Sequence, residues 1–158
     1  MESGNLLFAL MYKDSKILEE ALTELKNNFG GIISESFEYD FKFTNYYEKE
    51  FGDNLKKKIM IFNKKIEKKD LVKIKNDISK IEKKHSVDGK RAINIDPGYI
   101  NKKELVLASF KGKDFKEDFG ENVFAHKVLE FDDGKAKEFW HMFPDFKQKE
   151  LQKFLLSL

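Results

Sequence analysis

The sequence contains no cysteine, only two prolines and three histidines, and a single arginine among its 30 basic residues. Without cysteine the chain can form no disulfide, no thiol nucleophile and no thiolate metal site. No apolar run approaches the roughly 20 residues of a membrane-spanning helix. The apolar run over residues 6–12 is too short and wrongly flanked for a secretory signal. These absences predict a cytoplasmic protein without a membrane partner.

Several catalytic sequence motifs are also missing. The phosphate loop Gly-x-x-x-x-Gly-Lys-Ser/Thr is absent, because the Gly-Lys pairs are followed by Arg91, Asp114 and Ala136. The patterns Gly-x-Gly-x-x-Gly, Gly-x-Ser-x-Gly and His-Glu-x-x-His do not occur either. A standard P-loop GTPase, a Rossmann oxidoreductase, a serine hydrolase of the nucleophile-elbow type and a zincin metalloprotease are therefore set aside.

The chain does contain enough apolar material for one folded core. Hydrophobic residues make up 41% and charged residues 37% of its 158 residues, which is typical of a folded globular protein. A chain of this length suits one domain, and no linker, low-complexity tract or internal repeat divides it. We therefore predict a single domain over residues 1–158, with a core over 1–100 and an extension over 101–158.

Hydrophobic periodicity predicts the element order βαββαβ within the core. A near-continuous apolar run indicates a central strand, and the amphipathic helix after it is capped by Asp14 or Ser15 and ended by Gly30. Asn45 and Glu48 resemble a capping box for a short helix. The other predicted segments are the strands 37–43, 58–62 and 92–95 and the helix 68–84. This order predicts an α+β fold with a ferredoxin-like core, in which two helices cover one face of an antiparallel sheet. The extension is expected to be β-rich, with a short terminal helix.

Positive charge is concentrated in residues 53–84, which hold twelve lysines against five acids. In a helix over 68–84, isoleucines and a leucine form a buried stripe, and the opposite face carries Lys69, Lys73, Lys80 and Lys84. This basic face has two interpretations: a solvated helix surface, or a surface for nucleic acid or an acidic partner. Nucleic-acid binding would also use the aromatic strand 37–43, provided that its rings form an exposed platform.

Both prolines adjoin an aspartate in an aromatic-flanked segment, Asp96-Pro97-Gly98-Tyr99 and Phe143-Pro144-Asp145-Phe146. The first segment is predicted to be a rigid turn at a strand end, with a positive φ at Gly98. Asp96 would then either accept hydrogen bonds from its own turn or contact a ligand.

Arg91, the only arginine, stands five residues before Asp96. Its planar guanidinium suits bidentate binding of a carboxylate or phosphate, in a ligand or in a neighbouring acid. The histidines show no metal-ligand spacing, and His126 is the histidine candidate for acid–base catalysis. An oxygen site for Mg²⁺ would form from Glu50, Asp96 and Asp145 if their segments converge.

Several segments resemble a prokaryotic family catalogued as domain of unknown function 4416. The resemblance runs along nearly the whole chain and is most specific at Asp88-Gly89-Lys90-Arg91 followed by residues 94–99. It also rests on Phe43-Thr44-Asn45-Tyr46-Tyr47, on residues 105–108 and on 143–146. The family pattern has an acid in place of Asn45 and tyrosines in place of Phe143 and Phe146. Some members carry a GTP-binding label, and the resemblance implies no particular reaction.

Together these features predict binding of a small anionic ligand or nucleotide in a pocket near the Asp96–Tyr99 segment. Lys90 and Arg91 would hold the anionic group, and Asp96 and Asp145 would bind a cation or act as acid or base, with His126 as a further catalytic candidate. The remaining predicted lining residues are Tyr47, Glu50, Asn94 and Tyr99. The alternatives are a nucleic-acid-binding module and a non-enzymatic interaction domain. The sequence does not determine whether the protein is an enzyme.

Overall fold

The computed structural model describes residues 2–44, 47–112, 116–139, 141 and 143–158. At its centre lies strand β1, Ser3–Tyr12. Residues 6–12 expose 2% or less of their surface, so both faces of this strand are covered. This burial agrees with the continuous apolar run, because a strand covered on both faces does not need polar alternation.

Nine strands of the described residues form one sheet, in which the paired strands are antiparallel. The path is β2-β4-β1-β5-β6-β8-β7, with β3 on β4 and β9 on β8. The bounds of the strands after β1 are β2 Ile32–Glu35, β3 Tyr39–Asp40, β4 Lys56–Glu67, β5 Ile93–Ile100, β6 Glu104–Ser109, β7 Glu117–Asp118, β8 Phe124–Asp132 and β9 Lys135–Lys137. The protein is therefore a mixed α+β protein whose large sheet runs through both the predicted core and the predicted extension.

The helices of the described residues cover both faces of the sheet. On one face lie α1 (Ser15–Phe29) and α3 (Leu71–Lys84), which share one apolar cluster. On the other face lie a 3₁₀ turn (Pro144–Lys147) and α4 (Lys149–Leu156). The short helix α2 spans Glu48–Phe51. None of the described helices combines the length and the apolar content that crossing a bilayer requires.

Local signals account for the two long helices. The Asp14 carboxylate accepts a hydrogen bond from Lys16 N at 2.8 Å at the start of α1, and Gly30, with φ of 95°, ends that helix. The predicted helix 68–84 begins with a 3₁₀ turn over Lys68–Asp70 and continues as α3, with its predicted apolar stripe buried. Both helix predictions are confirmed.

The predicted aromatic strand over 37–43 is wrong in its length, because within this segment only Tyr39 and Asp40, the residues of β3, pair regularly with β4. The register shifts by one residue between Glu35↔Met60 and Tyr39↔Lys57. Ser36 fills the gap: its N and Oγ bond the backbone of Ile59 at 2.8 and 2.9 Å. The aromatic rings form no exposed platform, since Tyr39 and Phe41 are buried and Phe37 and Phe43 are half-buried. The predicted capping residue Asn45 and the adjacent Tyr46 lie outside the described residues.

The predicted turn at Asp96–Tyr99 is also wrong, because these residues lie inside β5 and pair with residues 6–9 of β1. Gly98 does not have a positive φ. A Cβ at this position would overlap the carbonyl oxygen of Val106 and lie 2.9 Å from Leu107 Cδ2. Gly98 is therefore required by the close approach of β6 and not by a turn.

Strands β5 and β6 separate on the N-terminal side of Gly98, where their pairing ends. In the opening, α3 side chains bond the backbone of β5: Glu82 Oε2 accepts from Ile95 N at 2.7 Å, and Lys75 Nζ donates to Ile95 O at 3.1 Å. Because alternate strand residues direct their N–H groups to the same side, the missing N–H of Pro97 also faces β6. Because β6 does not pair with β5 at this position, the proline costs the sheet no hydrogen bond.

Candidate functional site

A cavity of about 830 Å³ lies beside the opening between β5 and β6. Five strands supply its floor: Met11 from β1, Lys57 from β4, Asn94 and Asp96 from β5, Ser109 from β6 and His126 from β8. Its walls come from α3, from the segment between β3 and α2, from the segment after β6 and from the residues around the 3₁₀ turn. The strand separation therefore joins a pocket on the α4 side of the sheet to charged side chains of α3.

Arg91 enters the cavity wall with its guanidinium already bound to protein groups. Its Nε and Nη2 bond the two oxygens of Glu50 at 2.7 and 2.9 Å, which is a bidentate pair. Its Nη1 bonds Asn94 Oδ1 at 2.8 Å and Glu82 Oε2 at 3.2 Å. The hydrogen bonds from Arg91 hold the pKa of Glu50 below its usual range. The lone arginine thus joins α2, α3 and β5.

A second group of charges fills the opening itself. The Asp96 carboxylate accepts from Lys75 Nζ at 3.3 Å and from Asn94 Nδ2 at 3.2 Å. The Glu82 side chain is only 4% exposed, and this burial raises its pKa although Lys75 and Arg91 oppose the shift. Asp96 keeps 14% of its side chain exposed and is the accessible carboxylate of the group.

A third group of polar side chains lies at the 3₁₀ turn Pro144–Lys147. Asp145 Oδ2 lies 2.8 Å from Lys57 Nζ in an ion pair, and it accepts a hydrogen bond from the Tyr39 hydroxyl at 2.7 Å. Burial and the Asp145 charge raise the pKa of Tyr39 above its ordinary value, so this hydroxyl stays protonated. The Lys57 and Asp145 side chains are only 8% and 1% exposed.

The histidines lie beside this group. His126 Nε2 and His141 Nδ1 are 3.2 Å apart, and the Phe143 ring stands edge-on to His126. Burial, then the positive charge of Lys116, lowers the pKa of His126 to about 4. His126 is therefore neutral at pH 7.

Three lysines that line the cavity lie close to aromatic rings. Lys75 Nζ lies 5.2 Å from the Phe110 ring centre, Lys111 Nζ lies 4.8 Å from that of Tyr47, and Lys116 Nζ lies 6.0 Å from that of Phe143. Among the described lining residues, the six Lys and Arg side chains outnumber the three Asp and Glu side chains. The site therefore carries a net positive charge with flat apolar surfaces beside it.

The structure brings most of the predicted site residues together. The predicted residues that line the cavity are Tyr47, Arg91, Asn94, Asp96, His126 and Asp145. Glu50 does not line it but orients Arg91. Lys90 is exposed in the turn that pairs it with Val87, and Tyr99 is buried on the α1 and α3 side, where its hydroxyl donates to Glu104.

The predicted Mg²⁺ triad does not assemble. Within the part of the chain that the structure describes, no three His, Asp or Glu side chains are placed to hold a metal. Each predicted ligand instead has a cation beside it: Glu50 has Arg91, Asp96 has Lys75 and Asp145 has Lys57.

Sequence reasoning missed three buried charges of the site, although each leaves a signal. Lys75 and Glu82 lie four residues after Leu71 and Ile78, so they fall on the apolar side of α3. Lys57 shares a strand face with Ile59 and Ile61, because alternate residues point the same way. A charged residue at a position where the helix or strand pattern predicts an apolar one is the signal that would have identified all three.

The fold and the site together define an α+β protein with a cationic, aromatic-lined cavity at a separation of sheet strands. The chain belongs to the family described as domain of unknown function DUF4416, whose family model matches residues 2–158. The predicted family resemblance is thus confirmed. No curated protein and no solved structure shows significant similarity to the chain.

Proposed function

We propose that the protein binds a small anionic ligand, such as a nucleotide, in the cavity between β5, β6 and the 3₁₀ turn. The observation that carries the proposal is the excess of cations over carboxylates among the described lining residues. The volume of about 830 Å³ lies within the range of small-molecule sites. A cationic, partly enclosed cavity favours an anion because the walls reduce solvent screening of its charge.

The aromatic rings support a ligand that also has a flat apolar part. Tyr47, Phe110 and Phe143 line the cavity, each with a lysine close to its ring. A nucleotide combines an anion with a planar base, so it matches both kinds of surface. Arg91 offers the ligand no free pair of N–H donors for bidentate binding, because Glu50 occupies that face of the guanidinium.

For the architecture, we propose a single domain with a ferredoxin-like βαββαβ core. The strand order β2-β4-β1-β5, with α1 and α3 in one cluster on one face, supports this core. Pairing of β5 with β6 continues the sheet across residue 100, which supports one domain. A cytoplasmic location stays a prediction from the sequence.

Nucleic-acid binding through α3 is the alternative function, and it has less support. Of the outward lysines of α3 and the 3₁₀ turn before it, Lys69, Lys73 and Lys84 lie within 3.1 Å of acids. The aromatic rings of 37–43 pack into the protein rather than forming a platform. Both observations favour the interpretation of α3 as a solvated helix face.

Calorimetric titration with the common nucleotides, sugar phosphates and inorganic phosphate, with and without Mg²⁺, tests the proposal. Lys83→Glu reverses one exposed charge of the cavity wall, whereas Lys80→Glu makes the same change on α3 outside the cavity. We expect Lys83→Glu to weaken anion binding about tenfold and Lys80→Glu to leave it unchanged, because the charge interaction falls steeply with distance and screening. Wild-type protein that binds none of these anions, or equal losses in both variants, would contradict the proposal.

A further inference from the structure

The Lys57–Asp145 ion pair has hydrogen-bonding capacity that its neighbours leave unused. Asp145 Oδ2 forms the ion pair with Lys57 Nζ and accepts a hydrogen bond from the Tyr39 hydroxyl, whereas the buried Oδ1 has no hydrogen-bond partner among the described residues. The Lys57 ammonium has three N–H donors, and Asp145 is its one polar contact within the described part of the chain. The ion pair therefore has unused N–H donors on Lys57 next to an unused acceptor oxygen on Asp145.

The surroundings make this unused capacity unusual. The ring centres of Phe41, Phe143 and Phe146 lie 5.2, 5.8 and 5.2 Å from Lys57 Nζ, so the pair is enclosed by aromatic faces. Buried polar atoms are normally hydrogen-bonded, because an unpaired group in apolar surroundings is unfavourable. Lys57 and Asp145 both line the cavity. A ligand in the cavity is therefore the natural partner of the unused groups.

We propose that Lys57 and Asp145 form the subsite that recognises the planar, amide-like edge of the ligand, such as the edge of a nucleobase. Asp145 Oδ1 accepts an N–H of that edge, and Lys57 donates to the neighbouring ring carbonyl or nitrogen. This inference rests on the proposed function, since the wall lysines hold the anionic group. A second anionic group would be repelled by Asp145, whereas a flat ring fits between the aromatic faces.

Binding at this subsite requires a small movement, because Asp145 is fully buried in the structure. Phe143 is half-buried, stands beside both Lys57 and His126, and immediately precedes the 3₁₀ turn. Its ring is the side chain placed to rotate and then stack on the base that enters.

The test compares ligands that have or lack a base. Lys57→Met/Asp145→Asn removes both charges with little change of shape. The control, Lys56→Met/Asp40→Asn, removes an exposed ion pair of 3.0 Å from neighbouring positions outside the cavity. Affinities of AMP, UMP and ribose 5-phosphate are measured by calorimetry for the wild type and both variants, after circular dichroism has verified folding. Phe143→Leu is a second variant, which keeps the ion pair and removes the ring.

We expect the cavity double variant to bind at least one of the two nucleotides tenfold or more weakly and to bind ribose 5-phosphate within twofold of the wild type. Phe143→Leu should weaken nucleotide binding in the same selective way, and the exposed-pair control should change neither. Equal losses for nucleotides and ribose 5-phosphate, or no loss for either, overturn the inference while the proposed function stands. Wild-type protein that binds none of the three probes overturns the inference, and the wider anion titration then decides the proposed function.

Discussion

Replacing Gly98 by alanine tests whether the β5–β6 contact or a turn dictates glycine at this position. The added Cβ would overlap the Val106 carbonyl oxygen and approach Leu107 Cδ2 to 2.9 Å, so β5 and β6 must move apart. The movement strains the three residue pairs that join the strands, Gly98↔Leu107, Tyr99↔Val106 and Ile100↔Leu105. Overpacking in a core costs about 1–3 kcal/mol, and each weakened hydrogen bond adds about 1 kcal/mol. We expect Gly98→Ala to lower the free energy of unfolding by about 3 kcal/mol or more.

Urea denaturation followed by circular dichroism measures this free energy. Gly31→Ala is the matched control, because Gly31 has no positive φ and a Cβ there meets no atom within 4 Å. We expect the control to change stability by less than about 0.5 kcal/mol. Pro97→Ala, one residue before the contact, should cost no more than about 1 kcal/mol, because it chiefly restores freedom to the unfolded chain. A loss below about 1 kcal/mol in Gly98→Ala would refute the close-approach argument.

Three further predictions concern the charged groups. Lys57→Met alone should destabilise the protein by about 3–5 kcal/mol, because it leaves Asp145 buried without its cation, and Lys57→Met/Asp145→Asn should recover most of that loss in urea titrations. Since burial raises the pKa of Glu82, wild-type stability should fall as pH rises from about 4.5 through the raised value, and Glu82→Gln should flatten this slope. Changing the outward lysines of the helical segment 68–84 to glutamine should shift stability by less than about 1 kcal/mol, because exposed ion pairs contribute little. The residues changed are Lys69, Lys73, Lys80 and Lys84.

A different result would contradict each of these three predictions. A Lys57→Met protein as stable as the double variant would mean that the Lys57–Asp145 ion pair does not contribute to stability. A Glu82→Gln variant that keeps the wild-type slope above pH 4.5 would locate the pH dependence in another group. A salt-sensitive RNA affinity that the four-lysine variant loses would favour the nucleic-acid alternative over the solvated helix face.

Much of the fold could be predicted from the sequence because its signals are local. The stripe Leu71, Ile74, Ile78 and Ile81 repeats with the period of a helix, and Gly30 marks a helix end by its own backbone preference. The apolar run of β1 needs only its composition to indicate a central strand. Periodicity also determined which faces of these elements are buried, since each side chain's direction follows from the backbone geometry.

Local signals misled at two places where a distant strand decides the conformation. The Asp-Pro-Gly-Tyr segment has the composition of a turn, but β1 pairs with it along its length and β6 approaches Gly98. The alternating aromatic segment has the pattern of a strand, but a register shift against β4 shortens its regular pairing to β3. In both cases tertiary pairing overrides the preference of the residues themselves.

The sequence by itself determined the helices, the central strand and the residue types that a charged site would use. Only the tertiary structure decided which of those residues meet. Tyr39 and Asp145 are 106 positions apart in the chain, and Glu50 and Arg91 are 41 apart. No period or spacing encodes such pairs, because they depend on the order in which strands join the sheet and on the separation of β5 from β6. That separation places the charges of α3 beside those of the strands, and the cavity follows from it.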